Sequence, residues 1–241
     1  MTSLDLSVPS SSGVAKDPRI IEEQVRLLYQ GTLLAPINLL NAVIVSAAVW
    51  PSFPPGFLVA WIGLTALVVG LRLLLRHRYL RDTERTGTAR LSARRFAIGA
   101  LASGLLWGSL GFALPIVGRP LDFLFVTFVA AAMSAAAMTS MAAYFPALLC
   151  YLLPFILPPA LAFIVTPGPN YHLLGPLVLL YAAVLIATGW NMSRSILRTL
   201  QLKIVNAALN ESLTLAHREL RTVQQGRWGT FAHLSHELRT P

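Results

Sequence analysis

The feature that most constrains the fold of this chain is a series of apolar segments that carry almost no charge, each about as long as a membrane-crossing helix. A helix needs roughly 20 apolar residues in succession to cross the hydrocarbon core of a bilayer. Between Phe96 and Arg194, only Arg119 and Asp122 carry a formal charge. The pattern predicts an all-α membrane protein with six spans, at residues 32–50, 56–75, 96–117, 121–143, 145–166 and 173–193.

The placement of the basic residues predicts the orientation of these spans. The net charge is +9, yet only 12% of the residues are charged, against about 25% in a typical soluble domain. All 19 lysines and arginines except Arg119 lie before span one, at or between spans two and three, or after span six. With six spans these regions share one side of the membrane, and their positive charge marks that side as cytoplasmic. We therefore predict that both termini are cytoplasmic and that the basic residues face membrane lipids, not nucleic acid.

Small and polar residues inside the spans predict contacts between helices. Gly104 and Gly108 have the GxxxG spacing that lets two helix backbones approach closely, either within the bundle or between two chains. Asn38 and Asn41 are interpreted as interhelical hydrogen-bonding residues, with an intramembrane site as the alternative. The run of Ala, Ser, Met and Thr over residues 130–143 is expected at the bundle centre. No series of ionisable residues within the spans indicates an ion or proton path.

Aromatic and proline residues give two further expectations. The tryptophans near span ends, Trp50, Trp61 and Trp190, are expected in the aromatic belt at the membrane surface. Three prolines interrupt span five and predict a kink there; they are Pro154, Pro158 and Pro159.

After span six the pattern becomes periodic, and it predicts a coiled coil. Apolar residues recur at alternating steps of four and three. The next steps, to Arg227 and Phe231, are both four and form a stutter, where a coiled coil locally unwinds. Gly226 and Gly229 bracket this point, which is either a joint that transmits rotation or part of a plain linker helix. The residues of the predicted seam are Leu209, Leu213, Ala216, Leu220 and Val223.

The last seven residues, Ser235-His-Glu-Leu-Arg-Thr-Pro241, carry the chemistry. On a helix, His236 lies opposite the apolar side formed by Phe231 and Leu234, and Thr240 lies near the histidine. An accessible imidazole is a nucleophile, and Glu237 beside it can hydrogen-bond the ring or take its proton. A metal site on this helix is not predicted, because the nearby histidine at 233 adds only a second ligand.

This string resembles the H-box of sensor histidine kinases in two-component systems. The resemblance implies that His236 is the phosphoacceptor, Glu237 its acid/base neighbour, and Thr240 a residue that positions water for phosphatase activity. It covers about eleven residues of the 241. One departure is Thr230, which stands where the family often has an aromatic residue, with Phe231 one position later.

The resemblance further implies a homodimer in the bacterial cytoplasmic (inner) membrane and a cytoplasmic response regulator as partner. ATP and Mg would be cofactors of an ATP-binding domain that these residues do not include, so we expect a chain truncated within the H-box and inactive alone. A receptor phosphorylated in trans and a small-molecule carrier remain alternatives. The expected segments are a cytoplasmic tail (1–31), a six-span transmembrane input domain (32–193), a coiled-coil signalling helix (194–225) and a truncated dimerisation and phosphoacceptor segment (226–241).

Overall fold

A computed structural model of the chain describes residues 18–32, 35–81, 85–117, 119–167 and 171–237. About 94% of these residues are helical and none forms a strand, which confirms the all-α class for this part of the chain. The helices are α1 (Pro18–Gly31), α2 (Ala35–Val49), α3 (Pro55–Arg81), α4 (Arg85–Val117), α5 (Pro120–Met141), α6 (Phe145–Val165) and α7 (Tyr171–Glu237).

Five of the described helices contain a segment that is long and apolar enough to cross a membrane. These are α3, α5 and α6, together with the parts of α4 and α7 at Thr88–Val117 and Leu173–Arg218. The 15 residues of α2 span only about 22 Å at 1.5 Å per residue, less than a hydrocarbon core of about 30 Å. Among the described residues, a sixth span is present only if α1 and α2, which meet at a bend of 40°, count as one broken span. The first predicted span therefore stays a prediction.

Glycines allow α4 and α6 to pack closely over a long contact. A Cβ atom on Gly108 would overlap the carbonyl oxygen of Pro154, and one on Gly104 would overlap the carbonyl oxygen of Tyr151. Both glycines are therefore required by the approach of the two backbones. Of the two interpretations of the GxxxG spacing, packing within the bundle is the one observed.

The proline-rich helix α6 supplies the surface that meets these glycines. α6 stays helical through all three of its internal prolines. The ring of Pro158 lies 3.3 Å from the position of a Cβ on Gly108, and Pro159 lies 3.1 Å from that on Gly111. Proline rings and glycines thus form complementary surfaces along the α4–α6 contact.

α1 packs against the end of the bundle where α3 ends and α4 begins. Tyr29 stacks on Tyr79 of α3 with ring centroids 4.4 Å apart, and its hydroxyl donates to the Ser92 carbonyl at 3.2 Å. Gln24 donates to the carbonyl of Ala143, in the turn after α5, at 2.6 Å. The sequence pattern predicts only a tail over residues 1–31, whereas residues 18–31 form a docked helix. We call the end of the bundle where α3 ends and α4 begins the arginine-rich end. Its arginines are Arg76, Arg78, Arg81, Arg90, Arg94 and Arg95.

At the opposite end, the loop between α2 and α3 is joined to the start of α5. The Asp122 carboxylate accepts hydrogen bonds from the Ser52 hydroxyl and, at 3.2 Å, from the backbone N–H of Arg119. A carboxylate in the first turn of a helix also interacts favourably with the helix dipole. The carboxylate of Asp122, near the predicted outer surface, therefore has a structural role.

The small residues of α5 line one side of the bundle and do not occupy its centre. Met133, Ser134, Ala137 and Met138 are buried, whereas residues 131, 132, 135 and 136 are exposed. The expectation of a central helix is therefore wrong for the single chain. In a bilayer an apolar face need not be covered by protein, because lipid tails are as apolar as the side chains.

The chain divides into two compact units, Met1–Leu197 and Arg198–Pro241. The first contains the bundle. The second is the C-terminal part of α7, whose described side chains from Leu202 to Arg218 are almost all exposed.

Candidate functional site

The predicted phosphoacceptor lies in the last turn of α7. The backbone is helical through His236 and Glu237, and Thr240 lies outside the described residues. The side chains of His236 and Glu237 are also outside the described part of the chain, so their orientation stays a prediction. The helix continues without a break through Gly226 and Gly229, so a joint at the stutter would have to act within an intact helix.

The described part of the predicted coiled-coil seam is exposed. Leu209 and Leu213 are 56% and 53% exposed, and Ala216 is exposed as well. Leu220 and Val223 continue the pattern, with side chains outside the described set. An exposed row of heptad leucines is what one strand of a coiled coil presents before it pairs.

Within the bundle, the most unusual functional group is a buried arginine on α3. Arg72 is only 8% exposed, and no charged residue precedes it in the helix. Its Nη1 donates to Ser103 Oγ of α4 at 3.4 Å, and its Cζ lies 5.0 Å from the centre of the Phe96 ring. Its Nε has no hydrogen-bond partner among the described residues. Because a guanidinium has five N–H donors, most of its hydrogen-bonding capacity is unused.

The neighbouring turn of α4 is built to accommodate this side chain. A Cβ on Gly99 would lie 3.1 Å from Cγ of Arg72, so the glycine leaves room for the arginine stem. The Ser103 hydroxyl donates to the Gly99 carbonyl at 3.0 Å, which leaves its oxygen free to accept from Arg72. Gly99, Ser103 and Phe96 therefore hold the guanidinium without neutralising its charge.

Arg72 borders a cavity of about 120 Å³ that lies among α1, α2, α3, α5 and α6, which we call the arginine cavity. Two of its lining residues, Ile37 and Ala136, are exposed on the outer surface, so the cavity is reached from the side of the bundle. Its other polar lining residues are Thr32, Asn38, Asn41, Ser140 and Tyr151.

Asn38 forms the interhelical hydrogen bond that its position in the sequence predicts. Its Oδ1 accepts from Nε1 of Trp107 at 2.7 Å. Trp107 packs edge-to-face on Trp61 with centroids 5.1 Å apart, and Trp61 donates to the Leu106 carbonyl at 2.8 Å. Trp61 is 3% exposed, so it packs inside the bundle, and its place in an aromatic belt stays a prediction.

Asn41 has no hydrogen bond among the described residues, and it lines the arginine cavity. Across the same residues, no group of three or more His, Cys, Asp or Glu side chains is placed to bind a metal.

The sequence alone does not indicate the role of Arg72, because the residue stands at the start of a run of arginines that flank the spans. One signal did point to it: Arg72 lies inside the predicted span 56–75, while the other arginines of this region lie beyond it. The small residues Gly99 and Ser103, one helical turn apart, give the space for a long side chain, but their pairing with Arg72 needs the fold.

No protein-family model matches the chain, and neither the curated proteins nor the solved structures contain a match.

Proposed function

We propose that this chain is the membrane input and signalling part of a sensor histidine kinase of a two-component system. His236 accepts a phosphoryl group from ATP and passes it to an aspartate of a response regulator. The observation that carries the proposal is the string Ser235-His-Glu-Leu-Arg-Thr-Pro241 at the end of a long helix. A lone surface histidine is common, whereas this seven-residue combination is specific.

Phosphoryl transfer requires mainly that the phosphoacceptor helix positions the imidazole of His236. A neutral imidazole nitrogen attacks the γ-phosphorus in line, ADP leaves, and Glu237 accepts the proton of the ring. ATP and Mg, held by an ATP-binding domain, supply the phosphoryl group and neutralise the charge that develops during transfer. Glu237 keeps the imidazole nucleophilic, and Thr240 positions water when the regulator is dephosphorylated.

The exposed heptad residues support a homodimer in this proposal. Phosphoacceptor helices of the family work in pairs, and Leu209 and Leu213 offer an unpaired apolar seam on the same helix, upstream of His236. The distribution of arginines supports six spans with both termini in the cytoplasm of a bacterial cell. The H-box and the response regulator are then in the same compartment.

The proposal is tested by phosphorylation of the full gene product in its own membrane. With radiolabelled ATP, we expect an acid-labile, alkali-stable phosphohistidine that is lost in His236→Gln. His233→Gln, one turn earlier in the same helix, is the matched control and should label as the wild type does. Labelling that survives His236→Gln would sink the proposal.

The DNA beyond codon 241 separates the two kinase-related alternatives. We expect an open frame that encodes an ATP-binding domain. If the frame closes there and His236 is labelled only when a separate kinase is added, the chain is a receptor phosphorylated in trans.

A further inference from the structure

We propose that the arginine cavity binds a small free carboxylate, with Arg72 as its anchor. The inference rests on the bundle alone and does not depend on phosphotransfer at His236. The proposed kinase function does not identify the stimulus that the membrane bundle detects. The arginine cavity assigns a class of ligand to a site in that bundle.

The first argument is the missing counter-charge of Arg72. The acidic residues of the first unit that the structure describes are Glu22, Glu23 and Asp122, and none forms an ion pair with Arg72. A buried charge without a partner is costly, and the cost is recovered when a hydrogen-bonded partner arrives. A carboxylate suits this site because it can accept two parallel N–H bonds from one guanidinium.

The second argument is the set of donors on the facing helix. Trp107 occupies Oδ1 of Asn38, so the Nδ2 hydrogens of that amide remain free to donate. Asn41 lies one turn away and also lines the cavity. The hydroxyls of Thr32 and Ser140 donate to backbone carbonyls one turn earlier in the chain. The groups available to an anion are therefore the two amides, the hydroxyl of Tyr151 and Arg72.

The third argument is size. An engineered cavity of about 150 Å³ in another protein holds benzene, with six non-hydrogen atoms. The arginine cavity, at about 120 Å³, is somewhat smaller but open at its side. It therefore admits a short-chain carboxylate such as propionate or butyrate, whose alkyl part would lie against Met133, Ala137 and Met141. The headgroup of an anionic lipid offers similar chemistry and could enter from the side, so the test must distinguish the two sources.

The test is a titration of the full chain in nanodiscs of zwitterionic phosphatidylcholine with butyrate, followed by calorimetry. We expect saturable binding of butyrate and none of butylamine. Arg72→Gln should weaken binding about tenfold or more, because hydrogen bonds to charged groups contribute at least that factor. Arg78→Gln is the matched control, since Arg78 is exposed on the same helix, and it should bind as the wild type does.

A second variant keeps the test independent of the folding of Arg72→Gln. Ala136 lines the cavity at its side opening. Ala136→Leu should therefore narrow the cavity and weaken butyrate binding, whereas Ala136→Ser should not. Absence of binding by the folded wild type, or equal binding by all variants, overturns the proposal. It is also overturned if the wild type ignores butyrate but retains phosphatidylglycerol in detergent, with that lipid lost in Arg72→Gln. None of these readouts involves phosphorylation, so their failure leaves the kinase proposal standing.

Discussion

At the scale of single residues, glycines determine how closely neighbouring groups can approach inside the bundle. Gly104 and Gly108 admit the backbone of α6, and Gly99 admits the stem of Arg72. These glycines lie on one helix but serve two different neighbours. The first contact stabilises the fold, while the second leaves a charged group partly unsatisfied beside a cavity, where it is available to a ligand.

Gly108→Ala should destabilise the bundle, because the new Cβ would overlap the carbonyl oxygen of Pro154. Overpacking of this kind costs about 1 to 3 kcal/mol. Gly70→Ala is the matched control, since no described residue lies within 4 Å of a Cβ at that position. Thermal unfolding of the two variants in the same detergent measures the difference. Equal stabilities would show that α4 and α6 are not in this contact.

The residue scale also shows where sequence reasoning ends. The amide type and apolar setting of Asn38 suffice to predict an interhelical hydrogen bond, but its partner Trp107 is 69 residues away in the chain. Trp61 lies near a span end in the sequence, yet tertiary packing against Trp107 buries it. A local pattern indicates what a group requires, and only the fold determines which group provides it.

At the scale of elements, apolar length is the most dependable signal. Predicted spans two to six each coincide with a sufficiently long helix, because apolar runs of this length leave few alternatives. The sequence signal for α1 is weaker, because this helix is amphipathic and short. Its buried face includes Val25 and Leu28. The burial of this face is explained only by the folded structure, in which α1 packs on the arginine-rich end.

Tyr29→Ala should release α1 from the bundle. Replacing a buried aromatic residue with alanine costs about 3 to 5 kcal/mol, and an isolated helix of 14 residues is marginal in water. Hydrogen exchange should therefore become fast for the amides of residues 20–31 while α4 and α6 stay protected. The control is Gln30→Ala, at an exposed position beside Tyr29. Retained protection of α1 in Tyr29→Ala would show that other contacts hold it.

At the scale of the whole molecule, the two units differ in what they bury. The bundle has a continuous core, while the second unit leaves its heptad leucines exposed in a single chain. A seam of this kind is stabilised when a second copy covers it. The chain therefore combines a bundle that has its own core with a helix whose apolar seam is uncovered in the single chain.

Cross-linking tests whether that partner is a second copy of the chain. With Cys150, the native cysteine, replaced by serine, Leu213→Cys should form an intermolecular disulfide on mild oxidation in the membrane. Facing seam positions bring Cα atoms within the roughly 4.4 to 6.8 Å that a disulfide requires. Glu211→Cys, about 200° around the helix from Leu213, is the matched control and should remain monomeric. Equal cross-linking at both positions would indicate random collision, and absence at both would remove the homodimer from the proposed function.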